Sequence, residues 1–126
     1  SVRLFAERVR NFPDTLGDVV LDMRCPNKSP SFFGSSINVE PDDFQSFSFL
    51  EEVGTFSMIV DGAPTDAALN SAGRIAINKQ GLTQFKVRCT IEDNDDEEDD
   101  FYQFVSGDSS VSTNRPVLTV TWRPAP

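Results

Sequence analysis

The stretch Gln84-Phe85-Lys86-Val87-Arg88-Cys89-Thr90-Ile91 places Phe85, Val87, Cys89 and Ile91 at every second position, with polar side chains between them. A period of two puts those four side chains on one face of a β-strand and predicts a strand over residues 83–92. The same alternation recurs at both ends of the chain. Near the start, Val2, Leu4 and Ala6 share one face, while Phe5 and Val9 share the other. A strand apolar on both faces is expected to be central in its sheet. Near the end, Leu118, Val120 and Trp122 alternate with Thr119, Thr121 and Arg123, predicting a strand over 117–123. Further strands are expected over 19–24, 54–59 and 101–106, with another apolar stretch beginning at Phe44, Phe47 and Phe49. One helix is expected over 71–79, capped by Asn70 and ended by Gly81. Residues 40–44 read as a short helical turn with Pro41 at its first position. The fold class is therefore all-β: an antiparallel β-sandwich with one short crossover helix. One core is what 126 residues support, so 1–126 reads as a single domain.

Charge is concentrated in one place. Eleven basic and twenty acidic side chains give a net charge of −9, and eight of those acids lie in residues 92–100. Without that tract the chain is nearly neutral, so no basic stripe exists to hold a phosphate backbone, and nucleic acid is not an expected partner. The tract joins two predicted strands, and its carboxylates repel one another unless they are hydrated or share a cation. Two readings stand side by side: a solvated acidic patch, or a calcium site using Asp93, Asn94, Asp95, Asp96 and Asp99. The helix-loop-helix calcium pattern does not apply, because the glycine of its sharp turn is missing and Glu97 and Glu98 occupy that region. A glycosidase pair is not expected either, since that chemistry needs two acids in divergent environments across a cleft.

The chain contains no histidine, which removes His-based triads, acid–base pairs and metal sites. Cys25 and Cys89 are the only thiols, and each sits in or beside a predicted strand. They read either as one disulfide closing a long loop or as two buried apolar thiols. A catalytic cysteine would need an electropositive neighbourhood and usually a histidine, and the chain contains no histidine. Nothing else supplies a nucleophile with a base, so no enzyme activity is expected and no cofactor is required. Asn27-Lys28-Ser29 is a weak glycosylation sequon followed by Pro30. The longest apolar runs are too short to span a bilayer, and no signal peptide is read at the start of the numbering. Eleven of thirteen aromatics are Phe, which suits a core. Tyr102 and Trp122 are left as candidate glycan contacts.

Four blocks of the C-terminal half occur together: Gly81-Leu82-Thr83-Gln84-Phe85-Lys86-Val87-Arg88, then Asp93-Asn94-Asp95-Asp96, then Phe101-Tyr102-Gln103-Phe104-Val105-Ser106-Gly107-Asp108, and Asn114-Arg115-Pro116-Val117-Leu118-Thr119-Val120-Thr121-Trp122. In order and spacing they resemble the closing pattern of DNRLRE-type domains. Upstream, Val20 to Arg24, Phe32-Phe33-Gly34, Asp43-Phe44-Gln45, Val53 to Phe56 and the segment around Ala68-Leu69-Asn70 are also similar. The resemblance implies a jelly-roll β-sandwich on secreted or cell-surface proteins, non-catalytic, with polysaccharide or neighbouring domains of a multidomain protein as partners. It also implies structural roles for Arg115 and Pro116, with Arg115 paired to a carboxylate such as Asp108. Such domains carry further strands before the equivalent of Val2, which this numbering lacks. That difference motivates an alternative expectation: a self-assembling structural subunit, as in a filament or surface layer, completed by strands from a neighbouring chain. The second difference is Glu97-Glu98, where the family carries a glycine-bearing segment.

Overall fold

A computed structural model of the chain describes residues 1–10, 16–24, 50–91 and 101–124. Its strands are β1 (Val2–Arg10), β2 (Val19–Arg24), β3 (Leu50–Thr55), β4 (Ala63–Ala67), β5 (Gln84–Cys89), β6 (Phe101–Phe104) and β7 (Val117–Leu118). One helix, α1 (Ser71–Ile75), and a 3₁₀ turn (Ser112–Asn114) complete the described elements. The strands form two antiparallel sheets. In the first, β1 is central, with β4 on one side and β6 and β7 following one another along the other. In the second, β2 is central between β3 and β5. The protein is an all-β sandwich with one short helix.

Alternation accounts for the core. Val2 and Leu4 of β1 meet Val19, Leu21 and Met23 of β2, with Val53, Phe56, Ala67 and Leu69 closing the cluster. All six residues of β2 are buried, including Val20, Asp22 and Arg24 on its second face. The two sheets are stitched together just past β3. Phe56 donates its backbone N–H to Val19 of one sheet at 2.9 Å and forms an isolated bridge with Ala67 of the other. Ser57 then bonds to Asp66, and Thr65 Oγ1 donates to the Ser57 carbonyl at 3.0 Å.

Several elements differ from the sequence reading. The strand expected over 54–59 lies earlier, at β3. Asp22 Oδ1 accepts the Glu52 N–H at 2.9 Å, Glu52 adopts φ 53°, and the register shifts beside it. The chain then leaves that sheet at Phe56, so residues 57–60 cannot extend it. β4 was not expected. Its Pro64 argues against a central strand, and β4 is indeed at an edge, with Pro64 opposite Phe5. The helix stops at Ile75, well short of residue 79. Asn70 is its N-cap, accepting the Gly73 N–H at 2.9 Å as expected, but Ala76 rather than Gly81 ends it. From there Asn78 turns away, donating its N–H to Thr83 Oγ1. Gly73 is buried because a Cβ there would stand 2.9 Å from the Val53 Cβ, so α1 packs on β3 through bare backbone. Ile75 points outward and is 85% exposed. The helical turn at 40–44, the apolar stretch at Phe44, Phe47 and Phe49, Phe32, Phe33 and the Asn27 sequon lie outside the described residues.

The last strand shows the largest difference. β7 has two residues, not seven. Val117 and Leu118 pair with Arg3 and Val2, and Thr119 then exchanges both backbone bonds with Ser1 (N–H to Ser1 oxygen 2.9 Å; Ser1 nitrogen to Thr119 oxygen 3.0 Å). Residues 120–123 lie past the first residue of β1, and their backbone groups make no hydrogen bond to the described chain.

Candidate functional site: the groove beside Trp122

A groove of about 490 Å³ runs on from Ser1 between residues 118–123 and the segment that follows α1. Leu69 and Ile77 supply apolar lining, and Trp122 stands in its wall, 65% exposed. Every charged side chain in the lining is a cation: Arg74, Lys79 and Arg123. Arg74 is held in place by donating to the Leu69 carbonyl at 2.7 Å and to Ser71 Oγ at 3.2 Å. On a chain of net charge −9 this is a local reversal of sign. The groups present can stack, hydrogen-bond and attract anions.

The two aromatic candidates do not meet. Tyr102 lines a second groove of about 280 Å³ with Val9, Phe56 and Met58, and Trp122 is not part of it. Tyr102 is half-buried against the core, its ring stacked at 6.3 Å from that of Phe104. β1 and β6 place it there, through the pairing of Val9 with Tyr102. Tyr102 thus serves the packing, and Trp122 is the aromatic offered to solvent.

Arg115 bonds differently from the expectation. Its Nε donates to the Ser109 carbonyl at 2.8 Å, and no ion pair with Asp108 forms among the described residues. Asp108 instead accepts from Ser106 Oγ, which holds its carboxyl below the ordinary range, with a smaller contribution from the Arg115 charge. Pro116 directly precedes β7. Asp93, Asn94, Asp95, Asp96 and Asp99 lie outside the described residues, and among the described residues no three acids or cysteines cluster as a metal site. Cys89 is a free, half-buried thiol, and burial pushes its pKa up. Cys25 lies outside the described residues. Arg24, which precedes it, faces Gln84, while Cys89 faces Val19 at the opposite end of the ladder. Five residues of strand separate those positions, about 17 Å.

No family model, curated protein or solved structure matches the chain. Sequence reasoning found Trp122 but missed Arg74, Lys79 and Arg123 as a set, because their proximity depends on where α1 ends. It also treated 117–123 as one finished strand. The pattern of alternation cannot show that only its first residues have a partner.

Proposed function

We propose that the chain is a non-catalytic β-sandwich module of an extracellular or cell-surface protein in which residues 120–123 pair with a further extended strand, whether from residues before Ser1 or from a neighbour. One observation carries this reading: those backbone groups are unbonded directly beyond the Ser1–Thr119 pair, beside a groove whose apolar wall they help to build. Unpaired strand edges are sites of strand addition, where main-chain bonds supply affinity and alternate side chains supply specificity. The DNRLRE-type resemblance accords with a surface module of this kind, and the exposed β-branched and aromatic side chains Val120, Thr121 and Trp122 favour pairing.

The test uses amide exchange and the fluorescence of the sole tryptophan. In the isolated chain the Thr121 amide should exchange at the unprotected rate, whereas the Thr119 amide, bonded to Ser1, should be slowed. A seven-residue peptide alternating Thr and Val, added in excess, should slow Thr121 exchange and shift the Trp122 emission. Failure of every strand peptide to do either, whatever its charge, defeats the reading. Glycan binding is the second reading, favoured by the 65% exposure of Trp122 within a groove. An oligosaccharide that shifts Trp122 emission but leaves Thr121 exchange unchanged would support it instead.

A further inference from the structure

We propose that Asp61-Gly62 is a modification site, an exposed turn where aspartate converts to isoaspartate through a cyclic imide, at a rate set by two hydrogen bonds that tie the turn to β1.

The chain has seven glycines, and Asp61 is the only aspartate or asparagine that directly precedes one. A following glycine leaves the next backbone nitrogen unhindered, because no Cβ stands beside it. Asp61 and Gly62 form the turn that leads into β4, and both are exposed. Apart from its chain neighbours, no heavy atom lies within 4 Å of where a Cβ on Gly62 would stand. The turn thus has room to rearrange, and water has access to it.

The chemistry needs nothing but water. The Gly62 nitrogen attacks Asp61 Cγ, the N–Cγ bond forms, and the carboxyl hydroxyl leaves as water with the amide proton. Water then adds to one of the two ring carbonyls. Breaking the bond from nitrogen to Cγ restores aspartate. Breaking the bond from nitrogen to the backbone carbonyl carbon leaves a main chain that runs through Cβ and Cγ, which is isoaspartate. One water leaves and one returns, and nothing is oxidised or reduced.

The fold holds the reacting groups apart. Gly62 donates its N–H to the Ala6 carbonyl at 2.8 Å, and Asp61 Oδ1 accepts the Val9 N–H at 2.6 Å. Pairing of β1 with β4 ends at Ala6 and Ala63, so the Asp61 carboxylate covers the edge of β1 just past its last partner on that side. Ring closure requires both bonds to open together, a local event at the end of this ladder. The product carries its carboxylate directly on Cα and one more carbon in the backbone. The Val9 N–H then loses its acceptor, and the edge of β1 loses the charge that guards it.

The experiment incubates the full chain, and a blocked peptide spanning Ser57 to Thr65, in water enriched in heavy oxygen. Each ring opening places one heavy oxygen at Asp61, and peptide mapping separates the isoaspartyl form. The folded chain is expected to convert at Asp61 about tenfold to a hundredfold more slowly than the peptide, the protection that two hydrogen bonds supply. Val9→Pro removes the N–H that holds Asp61 and should raise the folded rate about tenfold. Asp61→Asn keeps an acceptor for Val9 and closes the same ring with loss of ammonia. It should show the same ratio of peptide to folded rates, and it serves if Val9→Pro does not fold. In the converted protein the Val9 amide should exchange at the unprotected rate. Equal rates in folded chain and peptide overturn the control by the two bonds. A folded rate more than about a thousandfold below that of the peptide, or heavy oxygen entering other aspartates as fast as Asp61, overturns the site itself.

Discussion

Removing Arg88 should destabilise this protein more than removing its partner Asp22, although both substitutions break the same bond. Asp22 lies on β2 with its side chain 2% exposed, and Arg88 on β5 is 30% exposed. Asp22 Oδ2 accepts from Arg88 Nε at 2.7 Å, and Oδ1 accepts the Glu52 N–H at 2.9 Å. Arg88 also lies 3.5 Å from Glu52 Oε1, and its guanidinium is held in the charged form chiefly by the Asp22 hydrogen bond. Arg88→Ala takes the Nε–H bond from a buried carboxylate, and breaking a buried pair from that side costs about 3–5 kcal/mol. Asp22→Ala leaves an arginine that can reach water and Glu52, so the loss is about 2–3 kcal/mol, much of it the Glu52 amide losing its acceptor. The double substitution removes the buried carboxylate as well and should be about 1–2 kcal/mol more stable than Arg88→Ala alone. Urea unfolding with unchanged m-values measures all three. An Asp22→Ala loss equal to or larger than that of Arg88→Ala, or a double variant less stable than Arg88→Ala, would refute this account.

Three other outcomes follow from the same geometry. Gly73→Ala gains about 1 kcal/mol of helix propensity but sets a Cβ 2.9 Å from Val53, an overlap costing about 1–3 kcal/mol, so its urea midpoint should fall; a rise would contradict the packing of α1 on β3. Asp66 sits opposite Arg3, whose Nε and Nη2 bond it at 2.9 and 3.1 Å, and this holds its carboxyl below the ordinary range. The stability it adds is complete at neutral pH and is lost as pH falls through that lowered value; the Tm deficit of Asp66→Asn should thus shrink on acidification, and a constant deficit would exclude the pair as its cause. Cys89 is a free thiol, so labelling of the denatured protein without reductant should modify Cys89, and failure to label it would contradict that state.

The strands visible in the sequence are runs of apolar, β-branched and aromatic residues, whether chiefly one face is buried, as in β1, or both, as in β2. β1, β2, β5 and β6 were legible on that ground, and the N-cap of α1 was legible from Asn70. β4 was hidden because Ala63-Pro64-Thr65-Asp66-Ala67 contains a proline and small side chains, and only its edge position makes them acceptable. β3 was misplaced because a buried carboxylate on another strand determines the conformation of Glu52, a long-range contact with no local sign. The groove was half legible. An isolated Trp in an alternating segment marks a surface, but the cations around it come from a helix whose early stop depends on the bond from Asn78 to Thr83.

The described edge strands of the two sheets differ from residues 120–123 in how open they are to pairing. β4 carries Pro64 and is bridged by Phe56, β3 carries exposed Glu51 and Glu52 with a positive φ, β5 alternates Lys86 and Arg88, and β6 has only four residues. Each is a recognised way of discouraging strand addition. The segment 117–123 bears none of these along Val117 to Trp122, and its only charge is Arg123, a side chain of the groove. Pro116 and Pro124 bracket it, so the window open to pairing has defined ends. Under the strand-addition reading, residues 120–123 are the β-prone stretch left without these guards among the described residues. A charge or a proline introduced at the other edges should therefore change stability alone, whereas the same change at Thr121 should alter association and leave the core intact.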